Sequence, residues 1–143
     1  MINKKRIIEE LKNYNPVIKS EENNFCRIAI DNLFVDLDDE ITVVFEEWHM
    51  HYSEEDCEEA IEKVKDIINN NECILVIYCN DKIFGCGSSL KKDKYTEKDV
   101  LEFLNSFFQT NNSSFKEHGA VIKVKYFDST KNYDLYLDKE SFC

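Results

Sequence analysis

The chain has one proline and three glycines in 143 residues. It therefore lacks several of the loops on which small-molecule chemistry is commonly built. There is no glycine-rich phosphate loop and no G-x-S-x-G elbow, and the acidic run at residues 36–40 lacks the glycine and twelve-residue frame of a calcium loop. None of the six cysteines forms a C-x-x-C pair, which argues against a zinc ribbon or dithiol motif and for reduced thiols in a cytoplasmic setting. No apolar run approaches the length of a membrane span. Lys4, Lys5 and Arg6 precede only Ile7 and Ile8 before Glu9 breaks the apolar stretch, so neither a membrane span nor a signal peptide is expected. Clustered basic residues are confined to Lys4-Lys5-Arg6 and to Lys91, Lys92 and Lys94, too few for a phosphate-binding face, and direct nucleic-acid binding is not expected. These absences favour a chain with no cofactor and no catalytic apparatus.

The sharpest absence is local. Between Arg27 and Lys63 there is no lysine or arginine, yet the segment carries thirteen carboxylates. The whole chain has 18 Lys+Arg against 29 Asp+Glu, so 16 acids and all 18 basic residues lie outside that window. The negative excess is thus confined to one third of the sequence. Single-sign charge opposes folding through self-repulsion, and what it offers in return is solubility or steering of a cationic partner.

Hydrophobic residues make up 43% of the chain and aromatic residues 13%, enough for a packed interior, and the length fits a single domain. Periodicity then assigns the elements. Ile7, Ile8 and Leu11 mark one side of a helix over residues 3–13, ended by Pro16. Strands are expected at 25–30 and 33–37 around an Asp31-Asn32 turn. A third strand begins at Ile41 after a loop at 38–40, with Leu37 facing Ile41, Val35 facing Val43 and Leu33 facing Phe45. Ser53 is expected to cap a helix with Glu54, Glu55 and Asp56 in its first turn and a buried stripe of Cys57, Ala60, Ile61, Val64, Ile67 and Ile68. A hairpin follows, residues 73–79 returning through Asn80-Asp81 into 82–89. Thr96 caps a further helix with Val100, Leu101, Leu104, Phe107 and Phe108 inward. A last hairpin pairs 120–127 with 132–137, setting Val124 opposite Leu135, Ile122 opposite Leu137 and Lys125 against Asp134. The order α-β-β-β-α-β-β-α-β-β predicts an α+β domain: an antiparallel or mixed β-sheet with helices packed on one face.

The most informative local pattern is Glu46-Glu47-Trp48-His49-Met50-His51-Tyr52. Inward apolar positions are odd at Ile41, Val43 and Phe45, then even at Trp48, Met50 and Tyr52. One extra residue near Glu46-Glu47, a β-bulge, reverses the phase in this way and buries Trp48. Glu47, His49 and His51 then stand in a row on the open face. Such a row is a weak metal motif, and with no third local histidine the preferred reading is a structural or binding-surface role, ahead of metal binding and of acid-base catalysis.

The segment from Glu40 to Tyr52, read as hydrophobic-x-aromatic-x-x-aromatic-His-x-His-aromatic, resembles a strand motif of small bacterial immunity proteins of polymorphic toxin systems. The match spans about a tenth of the chain. The abundance of Asn, Lys, Ile and Glu likewise resembles the coding of an AT-rich bacterial genome. What the resemblance implies is a cytoplasmic, single-domain, non-enzymatic protein that neutralises a cognate toxin by binding it, and the acidic window favours a basic, nuclease-like toxin domain. The expected partner-binding residues are Asp36, Asp38, Asp39, Glu46, Glu47, Trp48, His49, His51, Tyr52, Glu58 and Glu62, with Trp48 and Tyr52 as aromatic anchors at the edge of the acidic face. The alternative is a small metal-binding or metal-dependent hydrolytic domain that uses Glu47, His49 and His51.

Overall fold

A computed structural model describes residues 3–90, 94–107 and 113–142. These residues form nine strands and four α-helices, and the chain divides into two compact units, Met1–Asn71 and Glu72–Cys143. The α+β class and antiparallel pairing hold. The strands, however, are shared between two sheets where the sequence pattern predicts one.

The first unit runs α1 (Lys4–Glu10), β1 (Val17–Glu22), β2 (Phe25–Ile30), β3 (Leu33–Leu37), β4 (Ile41–Phe45), β5 (Trp48–Tyr52) and α2 (Cys57–Ile68). Its five strands form an antiparallel meander in chain order. Leu37 faces Ile41, Val35 faces Val43 and Leu33 faces Phe45, the register that the alternation predicts. One face is apolar throughout: Ile28, Leu33, Val35, Ile41, Val43 and Phe45 are all at most 1% exposed. Ile7 and Leu11 from the first helical segment, and Ala60, Ile61 and Val64 from α2, meet Val35 and Ile41 around a gap too small to admit water. Asn3 caps α1 by accepting from the Arg6 amide at 3.0 Å, and the chain tightens into a 3-10 turn at Lys12–Tyr14, where the sequence predicts continued α-helix.

Two further differences concern the acidic segment. The expected long third strand with a bulge is two strands, β4 and β5, and the chain reverses at Glu46-Glu47 with Phe45 opposite Trp48. A two-residue turn pairs odd positions with even ones, so it produces the same change of phase as a bulge. Glu46, at φ 54°, holds the first central position of that turn. Trp48 is buried, 5% exposed, as the alternation predicts. The hydroxyl of Ser53 donates to Asp56 Oδ2 at 3.0 Å and makes no cap to the helix backbone; a 3-10 turn at Glu54–Asp56 leads into α2.

The second unit runs β6 (Glu72–Cys79), β7 (Lys82–Leu90), α3 (Glu97–Phe107), α4 (Ser113–His118), β8 (Ala120–Lys125) and β9 (Tyr133–Leu137), with the strand order β7-β6-β8-β9. Asn80 and Asp81 both have positive φ, 52° and 63°, which gives the tight β6–β7 hairpin the right-handed twist its strands need. Thr96 and Asp99 cap α3 reciprocally: Thr96 Oγ1 accepts from the Asp99 amide at 3.2 Å and Asp99 Oδ2 from the Thr96 amide at 2.9 Å. Leu75, Ile77, Ile122 and Val124 of the sheet pack with Val100, Leu104 and Phe115 of the helices, so here too the helices cover one face. The Phe107 side chain and Phe108, expected inward, lie outside the described residues, as do Lys91, Lys92 and Cys143. The last hairpin differs from expectation by two residues: Ile122 faces Leu135, Val124 faces Tyr133 and Asp134 pairs with Lys123. The connection is longer than four residues because Tyr126 leaves the strand, its amide donating to Asn132 Oδ1 at 2.6 Å, and a 3-10 turn at Ser129–Lys131 fills the loop. A shift of two preserves the inward face.

Candidate functional site

The meander sends alternate connections to opposite ends of the five-stranded sheet, and this sorts the acidic residues. At one end, Asp38, Asp39 and Glu54 line a recess of about 560 Å³ with Glu21, Glu22, Asn23, Asn24 and Lys4. The loop between β3 and β4 is held by Asp38, whose Oδ1 accepts from the Glu40 amide at 3.0 Å and whose amide donates to the Glu40 carbonyl at 3.1 Å. Lys4 pairs with Glu21, and that hydrogen bond holds its ammonium above the ordinary lysine range.

Glu46 and Glu47 occupy the opposite end, where Asn32 Nδ2 donates to Glu46 Oε1 at 3.0 Å. A five-residue strand separates the two ends by roughly 17 Å. Glu58 and Glu62 lie on the exposed side of α2, and Glu58 pairs with Arg6.

Asp36, His49 and His51 belong to the face of the sheet turned away from α2. There Arg27 Nε and Nη2 each lie 2.7 Å from an Asp36 oxygen, and the guanidinium sits 4.6 Å from the centre of the Phe34 ring. The Asp36 hydrogen bonds raise the Arg27 pKa, and this fork engages Asp36 inside the sheet. Thr42 faces His51, whose Nδ1 is 3.0 Å from Thr42 Oγ1 and 2.7 Å from Glu40 Oε1. The rings of His49 and His51 meet edge to face, their centres 5.1 Å apart.

Two sequence expectations are corrected by this geometry. Trp48 and Tyr52 are 5% and 6% exposed on the helix-covered face, so they are core residues and offer no anchor to a partner. Glu47, His49 and His51 do not form a metal set, because Glu47 sits in the turn while the imidazoles belong to the strand. Among the described residues, no three His, Cys, Asp or Glu side chains are grouped so as to hold a metal ion.

Sequence reasoning missed Glu21 and Glu22, which the β1–β2 hairpin brings to Asp38 and Asp39. The segment Val17–Glu22 has no apolar alternation to announce a strand, and its register breaks between Ile18 and Ser20. The available signal was the Asn23-Asn24 pair ahead of Phe25, a turn dipeptide. A larger groove of about 700 Å³ in the second unit is lined by Tyr78, Asp81, His118, Lys123, Tyr136 and Asp138 among others, a set of mixed charge.

The two units differ most in net charge. Met1–Asn71 holds 8 Lys+Arg against 18 Asp+Glu, net −10, and Glu72–Cys143 holds 10 against 11, net −1. No helix among the described residues is long and apolar enough to cross a membrane. No family model, curated protein or solved structure matches this chain.

Proposed function

We propose that this chain is a cytoplasmic binding protein whose first unit receives a cationic protein, and that it acts as an immunity protein that neutralises a basic, nuclease-like toxin domain. The observation that carries this reading is the partition of charge, net −10 on the first unit and −1 on the second. An acidic field on one compact unit attracts basic surfaces and raises encounter rates, whereas the same charge spread over the whole chain would give solubility alone. The recess lined by Glu21, Glu22, Asp38, Asp39 and Glu54 supports it by offering carboxylate acceptors to lysine or arginine side chains. The resemblance of residues 40–52 to immunity-protein strands agrees with it.

The test is capture of proteins from the source organism on the immobilised chain at low ionic strength, followed by co-expression of each retained protein with and without this chain. A basic protein that stops cell growth alone and not in co-expression is the expected result. Retention of acidic or neutral proteins only, insensitive to salt, would contradict the reading.

A further inference from the structure

The two edges of the five-stranded sheet are not equivalent. β1 has the features that keep an edge from pairing with other chains: Lys19, two glutamates and a break in register between Ile18 and Ser20. β5, the other edge, has no lysine, no proline and an unbroken register with β4. In a two-residue hairpin the closing pair is hydrogen-bonded, and bonded pairs alternate along the strands. With Phe45 and Trp48 closing this one, the main chain of Trp48, Met50 and Tyr52 faces β4, and the N–H and C=O groups of His49 and His51 face outward. The 3.0 Å approach of Thr42 Oγ1 to His51 Nδ1 fits the closer side-chain spacing of a non-bonded pair. His49, Met50 and His51 are exposed, and exposed acids flank the strand at both ends: Glu46 and Glu47 before it, Glu54, Glu55 and Asp56 after it.

We infer that an extended cationic segment of the partner adds to the sheet as a sixth strand beside β5, bonding to the outward main-chain groups of His49 and His51, with lysine or arginine near each of its ends. This inference rests on the cationic-partner reading above and specifies its mode. The flanking charge selects the occupant. A second copy pairing antiparallel along β5, with His49 opposite His51, would set Glu46 beside Glu54, and a parallel one would bring the two Glu46-Glu47 turns side by side, so like charges would meet. A strand with basic ends spaced by roughly 17 Å meets opposite charge at both.

The probe is the peptide Lys-Lys-Thr-Val-Thr-Val-Thr-Lys-Lys, with two derivatives N-methylated at alternate central residues, one on the odd positions and one on the even. All three have the same charge, but in either register only one derivative loses the N–H groups that face β5. Binding to the full chain is followed by fluorescence anisotropy. The expected result is that one derivative binds at least tenfold more weakly than the parent while the other does not. A His49→Pro, His51→Pro variant, which removes outward donors and leaves the bonds to β4, should lose a similar factor. If that variant fails to fold, the methylated pair on the unaltered chain decides the matter alone. Equal binding by all three peptides would overturn edge addition and leave the cationic-partner reading standing. No binding by any of them, while a captured basic protein still binds, would overturn edge addition alone; failure of both would remove both readings. A dimer of the free chain that the parent peptide does not dissociate would give the edge to a second copy and overturn the inference.

Discussion

Gly119 ends α4 at φ 71°, and its amide donates to the Phe115 carbonyl at 2.8 Å, the single bond of a left-handed helix cap. A Cβ at this position would lie 2.3 Å from the Leu137 carbonyl oxygen, a backbone atom that a rotamer change cannot move. The left-handed conformation costs a non-glycine residue about 1–2 kcal/mol, and the clash adds to that. Gly119→Ala is therefore expected to lower stability by roughly 3 kcal/mol, read as a fall in the urea midpoint at constant slope. A loss below about 0.5 kcal/mol, the scale of an ordinary surface substitution, would contradict this account of the cap. Phe115, four residues earlier, is fully buried and stacks on Phe142 with ring centres 5.0 Å apart, so the cap fixes a helix whose one core residue is large. Arg27 shows the opposite case. Its fork on Asp36 joins neighbouring strands on the half-exposed face and takes one carboxylate out of the acidic surface.

At the scale of elements, the turn at Glu46-Glu47 explains the conformation of the acidic hairpin and can be tested separately from function. Glu46 has φ 54° and Glu47 does not have positive φ, so glycine relieves strain only at the first. Glu46→Gly should stabilise the chain by roughly 0.5–1 kcal/mol after the extra freedom of the unfolded glycine is counted, while Glu47→Gly should destabilise it by a similar amount. Equal and destabilising shifts in urea unfolding would contradict a turn of this type. The same hairpin marks the limit of what the sequence reveals. The registers of β2, β3 and β4 and the buried stripe of α2 were legible because alternation and the 3.6-residue period leave one solution each. The reversal before Trp48 was not, since two glutamates lack the turn chemistry of Asn-Gly and the phase change alone is shared with a bulge. α4 escaped because six residues with one buried phenylalanine carry no measurable period. The site was less legible than the fold. The turn chemistry of Asp38 and Asp39 marks them as loop residues, but their neighbours Glu21 and Glu22 belong to an edge strand with no inward stripe, and the alternation that points Trp48 and Tyr52 into the core, where they lie, conflicts with their expected role as anchors.

At the scale of the whole molecule, one unit carries almost all of the net charge, and this follows from where the chain divides: the acidic window ends at Glu62, just before Asn71 closes the first unit. Steering acts over about a Debye length, about 8 Å at physiological ionic strength, so the location of the charge matters more than its total. The decisive measurement is the association rate with the captured basic partner against ionic strength, for the wild type and two variants of equal charge change. One variant is Asp38→Asn, Asp39→Asn, Glu54→Gln in the first unit, and the other is Glu97→Gln, Glu102→Gln, Glu140→Gln in the second. The account predicts that the first variant associates several-fold more slowly at low salt with a shallower salt slope, while the second stays close to wild type. Equal rates and equal slopes for the two variants would contradict it and reduce the acidic segment to a device for solubility.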